Sequence, residues 1–281
     1  MLRQAALGLL AAVLGAGCAP GLVHFPNATP GTPLTVRGWE EKPDGPGPFP
    51  AVVLLHGCHG VSASTRDWAR WFRAEGYVAL IVDSWAPRGM TEGCSPESPD
   101  VPNTERFDDA VGALRHLHAA PYVDRARVGV IGWSNGGVFS VALVNGPSLE
   151  RARGRGVTLP DPGFRAAVGV SPGGCVSLAP ELVVRPTLVL IGDADDWTRP
   201  GPCVEMVENM KKKGADVSIV LYPGAYHYFD VEGLTRTVLT DVVNENRPGG
   251  CCGATVGYDP AAAADARRRV ADFFGYHLKA R

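Results

Sequence analysis

The chain has 281 residues, 45% of them hydrophobic and 20% charged, with 27 basic against 29 acidic side chains and a formal net charge of −2. That apolar content can build a sizeable core for one α/β domain, and the near-balance of charge leaves no electrostatic case for nucleic acid. The run Arg151-Ala152-Arg153-Gly154-Arg155 is short, broken by glycine, and reads as a solvated loop.

The N-terminus reads as an export signal. Arg3 precedes a small-residue apolar run, Ala5 to Ala16, that is too short for a stop-transfer span. Gly15-Ala16-Gly17-Cys18-Ala19-Pro20 follows and resembles a bacterial lipobox, with Gly15 in place of the usual aliphatic residue. Residues 1–18 are therefore expected to form a signal peptide, with lipidation at Cys18 and ordinary cleavage near Ala19 both open. The mature protein is expected in the periplasm or anchored at the outer membrane of a bacterium, with membrane attachment only through a lipidated Cys18. Export also changes the reading of the other six cysteines, Cys58, Cys94, Cys175, Cys203, Cys251 and Cys252. In an oxidising compartment an even set favours disulfides, and no C-x-x-C pair or His/Cys spacing points to a metal.

Residues 19–33 are Pro/Gly-rich and predict a tether or irregular lead-in, followed by one domain over residues 34–281. Leu34 to Trp39 alternates as an edge strand would. Ala51-Val52-Val53-Leu54-Leu55 is a continuous apolar run, as in a buried central strand, and it ends in His56-Gly57. Helical spacing follows from Ser64 or Thr65 to Glu75, with Trp68, Trp71 and Phe72 on the core side. Tyr77 to Val82 predicts a strand, and Thr104 to Ala119 a helix. Val128-Gly129-Val130-Ile131 predicts another buried strand, and Gly137 to Val144 a small-residue helix. Residues 145–163 read as an irregular surface excursion. Ala166–Val170, Thr187–Ile191 and Ser218–Tyr222 predict three further strands, and Cys203–Lys213 a helix ended by Gly214. Residues 233–258 read as a second excursion. Asp259-Pro260 starts a terminal helix as N-cap and first-turn proline. Strands alternating with helices predict a mostly parallel sheet flanked by helices.

Between strand and helix stands Gly132-Trp133-Ser134-Asn135-Gly136, the context a nucleophile elbow needs. Serine is a weak nucleophile until a base takes its proton, and that base needs a third group to fix its tautomer. Two later strands end in suitable partners: Gly192-Asp193-Ala194-Asp195-Asp196 and Pro223-Gly224-Ala225-Tyr226-His227. The order Ser, Asp, His is that of α/β-hydrolases. His227 alone among seven histidines follows a late strand at a Pro-Gly turn. His116, His118 and His277 lie in predicted helices, where packing or surface roles are expected, and His24 is uninformative.

The elbow, Gly192-x-x-Asp195 and Tyr222-Pro223-Gly224-Ala225-Tyr226-His227 together resemble the dienelactone hydrolase family of α/β-hydrolases, from about Ala51 to the final helix. The resemblance implies Ser134 as nucleophile, His227 as base and Asp195, rather than Asp193 or Asp196, as the acid. It departs from the family in carrying Ser134 where the type members have cysteine, which favours ordinary ester chemistry over dienelactone itself. One oxyanion donor should be the Asn135 backbone N–H, and the family position implies Cys58 N–H, in His56-Gly57-Cys58-His59-Gly60, as the other. The side chains of His56 and His59 either line the site or only shape this loop. A catalytic Cys58 thiol is disfavoured against a disulfide. Cys58–Cys94 and Cys175–Cys203 are the preferred pairs, each tying loops expected at the active edge of the sheet, while Cys251 and Cys252 either pair together or stay free. Arg88 is expected in a structural ion pair rather than on substrate.

These readings converge on an exported serine hydrolase acting on a small-molecule ester or lactone, with no cofactor, no metal and no nucleic-acid partner expected. A peptidase or polyester depolymerase on the same fold, and a non-catalytic envelope binding protein, are the alternatives. Either excursion could roof the pocket.

Overall fold

The computed structural model describes residues 21–178 and 182–279; the predicted signal peptide and Cys18 lie outside the described residues. The first half runs β1 (Gly21–Pro26), β2 (Thr35–Glu41), β3 (Phe49–Leu55), α1 (Ala63–Ala74), β4 (Val78–Asp83), α2 (Asn103–Ala119), β5 (Val123–Trp133) and α3 (Asn135–Ala142). The second half runs α4 (Gly146–Gly154), β6 (Ala166–Val170), β7 (Thr187–Gly192), α5 (Pro200–Lys212), β8 (Val217–Tyr222), β9 (Thr237–Leu239), β10 (Ala254–Val256) and α6 (Pro260–Phe274).

Eight strands form one sheet in the order β1-β2-β4-β3-β5-β6-β7-β8. From β4 to β8 every pairing is parallel, while β2 runs antiparallel to both β1 and β4. This is an α/β-hydrolase sheet, with helices on both faces. Alternation along β3 divides the core. Val52 and Leu54 pack with Trp68 and Phe72 of α1 and with Ala266, Val270 and Phe274 of α6. Ala51, Val53 and Leu55 pack with α2, α3 and α5 through Leu114, Phe139 and Met206. A central strand covered on both faces has no polar side to show, which is why its sequence is an unbroken apolar run. Helix starts are set by local chemistry: Ser62 accepts from Thr65 N–H at 3.2 Å to cap α1, and Asp259 accepts from Ala261 and Ala262 N–H to cap α6.

Three expectations need correction. The predicted tether is partly sheet: Gly21–Pro26 pairs with β2, burying Phe25, and Asn27 is buried behind it with Nδ2 donating to Asp109 at 3.0 Å. The strand at Leu34–Trp39 is consequently not the edge. Residues 145–163 are not irregular throughout, because Asn145 caps α4 by accepting from Ser148 N–H at 3.0 Å. The arginine run lies on and just beyond that helix, with Arg155 paired to Asp108 at 3.0 Å. Within 233–258, β9 and β10 form a short hairpin.

All six remaining cysteines pair, as Cys58–Cys94, Cys175–Cys203 and Cys251–Cys252.

Candidate active site

β5 delivers Ser134 at its C-terminal end in a backbone conformation that side chains with a Cβ avoid, φ +52° and ψ −118°. Its N–H donates to Val170 O on β6 at 2.9 Å, and its carbonyl accepts from Gly137 N–H at 2.9 Å and Gly173 N–H at 3.1 Å. The strained turn is thus held from both sides. The flanking glycines are required by contact: a Cβ on Gly132 would lie 2.1 Å from Gly136 O, and one on Gly136 would lie 2.2 Å from Leu55 O. The sharp turn and the close strand–helix approach have the backbone geometry of a nucleophile elbow.

The three aspartates crowding the loop after β7 have separate partners. Asp193 accepts from Gly224 N–H at 2.6 Å, closing the Pro-Gly turn. Asp196 accepts from Thr255 N–H at 2.8 Å and from Arg247 at 2.9 Å, tying the loop to residues 233–258. Asp195, 2% exposed, accepts from His227 Nδ1 at 2.8 Å and from the Thr198 hydroxyl at 2.8 Å through Oδ2. Its Oδ1 takes the Trp197 and Thr198 N–H groups at 3.0 and 2.8 Å. Burial pushes the Asp195 carboxyl up, but the attraction of His227 and the hydrogen bonds from His227 and Thr198 outweigh it, so the net shift is downward.

His227 is fully buried, and its Nε2 has no hydrogen-bond partner among the described residues. The Asp195–His227 half of the predicted constellation is therefore formed, whereas Ser134 and His227 are not hydrogen-bonded to each other. A Cβ on Gly57 would stand 3.4 Å from Ser134 Cβ and 3.9 Å from the hydroxyl of Tyr228, the residue after His227.

The loop after β3 is shaped by His56. Its ring is buried, with Nδ1 against Gly57 O at 2.6 Å and Nε2 accepting from Ser84 N–H at 3.2 Å. Burial, then the neighbouring Arg106, pushes the His56 pKa well below its ordinary value, so the ring is neutral. Cys58 O accepts from Trp85 Nε1 at 2.8 Å and from Gly93 N–H at 2.7 Å. The N–H groups of Cys58 and Asn135, by contrast, meet no protein acceptor among the described residues.

The sequence profile of the dienelactone hydrolase family matches residues 36–278. The chain belongs to this family. A Bradyrhizobium sp. relative named a probable 2-oxo-3-(5-oxofuran-2-ylidene)propanoate lactonase is 25% identical over 196 residues, 65% of this chain and 74% of the relative. Among solved structures, a dienelactone hydrolase-like promiscuous phosphotriesterase from metagenomic libraries matches with TM-score 0.65 and 19% identity, over 93% of this chain and 100% of that one. Thermogutta terrifontis esterase 2 phosphorylated by paraoxon matches with TM-score 0.63 and 18% identity, over 93% and 97%. This dienelactone hydrolase family member is a carboxylic ester hydrolase with the α/β-hydrolase fold.

Within this family member, sequence reasoning missed four residues that shape the site. Thr198, three positions past the acid, bonds Asp195 and lies 3.1 Å from His227 Nδ1. Trp197 packs its ring 4.8 Å from that of His227 and donates Nε1 to Val243 O at 2.8 Å. Tyr228 stands at φ +60° with its hydroxyl 2.7 Å from His59 Nδ1, so His59 belongs to the mouth of the site while His56 only shapes the loop. Arg106 is the fourth. No spacing rule marks any of them, because each acts through a contact across the fold. A mostly apolar cavity of about 320 Å³ opens beside the elbow, lined among others by Gly57, His59, Trp133, Tyr228, Leu234 and Val256. Arg88 lies outside it, paired with Glu105 at 2.7 Å and Asp109 at 2.9 Å. Among the described residues, the one set of three possible metal ligands within 4.8 Å of one another is Cys58, His59 and Cys94, and both sulfurs are spent in the disulfide. His116 stacks on Phe25 and His277 against Phe273, away from the elbow.

Proposed function

We propose that this family member is an exported serine esterase or lactonase working through Ser134, His227 and Asp195. The observation that carries the reading is the buried Asp195–His227 pair, 2.8 Å apart, with an unpartnered Nε2, together with a serine held in a strained turn at the end of β5. Ser134 Oγ attacks the ester or lactone carbonyl while His227 Nε2 takes its proton. The tetrahedral oxyanion faces the Cys58 and Asn135 N–H groups. His227 returns the proton to the leaving alcohol, an acyl-enzyme forms, and His227 then activates water for deacylation. Asp195, kept ionised by its contacts, holds the imidazole tautomer that makes this exchange possible.

A cavity of about 320 Å³ with an apolar lining suits a small-molecule ester or lactone, and the Bradyrhizobium relative named as a lactonase supports the lactone branch. Export rests on the signal-like residues 1–18, with lipidation of Cys18 or cleavage nearby as its two forms; the paired cysteines support an oxidising compartment.

Hydrolysis of a short-to-long p-nitrophenyl ester series by wild type and Ser134→Ala tests the mechanism. The variant is expected to lose about 10⁴-fold or more in kcat. Paraoxon, which phosphorylates the Thermogutta esterase, should add a diethylphosphoryl mass to wild type and not to the variant. Retention of kcat within tenfold by Ser134→Ala would remove Ser134 as nucleophile. A wild type that neither turns over an ester nor labels would favour the binding-protein alternative.

A further inference from the structure

Arg106 lies in the first turn of α2 and is 4% exposed, yet none of the ion pairs among the described residues includes it. The two carboxylates whose charge reaches it are Asp109 and Asp83. Asp109 is bound by Arg88 at 2.9 Å, and Asp83 by Arg37 at 2.6 Å. Burial pushes the Arg106 guanidinium down to about 9, which leaves it cationic at neutral pH. A buried charge without a counter-ion is expensive. Two aromatic faces offset part of that cost, with the guanidinium carbon 4.7 Å from the Trp85 ring centre and 5.3 Å from that of Phe139.

The hydrogen bonds of this guanidinium point to a use. Nη2 donates to the carbonyl of His56 at 2.7 Å, and Nη1 donates to the side-chain oxygen of Asn135; Nε has no partner. His56 opens the loop that carries the Cys58 N–H, and Asn135 carries the second N–H itself. One planar fork thus grips both segments whose amides face the reacting carbonyl, a grip that a lysine's single ammonium cannot reproduce.

We propose that Arg106 is a positioning residue of the oxyanion hole, bridging the Cys58 loop to the elbow and setting a buried positive charge, in direct contact with no carboxylate among the described residues, behind the two amide donors. The inference rests on the serine-hydrolase reading of Ser134. The fork fixes the spacing between the donors before substrate arrives. Its charge favours the tetrahedral state, which carries a full negative charge on oxygen, over the neutral ester. Such preorganised charge acts on the transition state more than on substrate binding.

The test uses the full-length protein as Arg106→Met and Arg106→Lys, with kcat and KM for p-nitrophenyl butyrate and the affinity of an alkyl trifluoromethyl ketone. That ketone becomes a tetrahedral oxyanion adduct on the serine. Removing a direct oxyanion donor costs about 10²–10³-fold in kcat, so loss of a residue behind the donors is expected to cost about 10- to 100-fold. KM should stay within about threefold, and affinity for the ketone should fall by the same factor as kcat. Arg106→Lys keeps the charge and loses the bridge, so it should fall between wild type and Arg106→Met. A role in packing alone would lower the melting temperature while leaving the ratio of ketone affinity to KM unchanged. That outcome, or kcat within twofold of wild type in a folded Arg106→Met, overturns the inference. If Arg106→Met does not fold, unchanged kcat and ketone affinity in Arg106→Lys overturn it instead. Fluorophosphonate labelling of wild type separates the two levels. Labelling at Ser134 with an unaltered Arg106 variant sinks only the positioning role, whereas absence of labelling sinks the serine-hydrolase reading and this inference with it.

Discussion

Residues 145–163 and 233–258 both interrupt the alternation of strand and helix, and in sequence they look alike. In the fold they do opposite things. The first forms α4, whose N-cap Asn145 bridges to Val183 and whose Ala152 packs into the core with Leu143 and Phe164. Among the described residues, none of its hydrogen bonds reaches the elbow or the loops after β7 and β8. The second is stitched to the loops after β7 and β8 and to the Cys58–Cys94 disulfide. Val256 bridges to His227, and Gly257 N–H donates to His227 O at 3.1 Å. Val242 and Ala254 pack on the Cys58–Cys94 disulfide, and Asn244 Nδ2 donates to Asp196 O at 3.1 Å and Gly253 O at 2.8 Å. An excursion becomes a roof when its polar residues bond the carbonyls and carboxylates of the loops beneath it; its length alone decides nothing.

The disulfide under the second region gives the sharpest way to test it. Cys58–Cys94 closes a 36-residue separation under the roof, whereas Cys175–Cys203 closes 28 residues between the loop after β6 and α5. Replacing either pair by serine should cost about 2–4 kcal/mol by denaturant unfolding. The Cys58→Ser/Cys94→Ser protein should also lose about tenfold or more in kcat for p-nitrophenyl butyrate; kcat within twofold of wild type would contradict the role of the roof.

Asparagines mark the same division at smaller cost. Asn145→Ala removes a buried helix cap and should cost about 1–2 kcal/mol with kcat/KM within twofold. Asn244→Ala removes the donor to Asp196 O and one of the two donors to Gly253 O at a cost of about 1–3 kcal/mol, and should lower kcat/KM severalfold because the acid loop loosens. Equal activities in the two variants would contradict the assignment of the roof.

The smallest effects are on pH. Asp195 is shifted down as described, so its folded-state stabilisation is complete above the ordinary aspartate range near pH 4 and disappears as pH falls through its lowered value. Asp230 is shifted the other way. Burial raises its pKa more than the hydrogen bonds from Trp133 at 2.7 Å and Trp68 at 3.0 Å lower it. Above about pH 4 the folded state then holds a proton that the unfolded chain has released, so its contribution falls as pH rises. Unfolding free energies should accordingly show the stability advantage over Asp195→Asn appearing as pH rises toward 4. The advantage over Asp230→Asn should shrink as pH rises beyond 4. Parallel curves for the two variants would contradict these opposite shifts.

Much of this fold was legible because its core strands are covered on both faces and so read as plain apolar runs, with glycines marking where strand meets helix. Ser134, Asp195 and His227 were legible as chemistry-bearing types at strand ends in a fixed order. β1 was missed because Pro and Gly around it mask a strand that needs β2 to form, and α4 because its anchoring contacts, Asn145 to Val183 and Arg155 to Asp108, come from far along the chain. Thr198, Trp197, Tyr228 and Arg106 were missed for one reason. Each is an ordinary residue by type and spacing, and its part in the site comes from contacts such as the one between Arg106 and Asn135, 29 positions apart.

The packing of Trp197 on His227, ring centres 4.8 Å apart, has an optical consequence. An indole in contact with an imidazole loses fluorescence when that imidazole gains a proton, because the cation accepts the excited electron. With six tryptophans in the chain, the difference in emission between wild type and Trp197→Phe then isolates a signal from the indole packed on the proposed base, with no chromophore needed in the substrate.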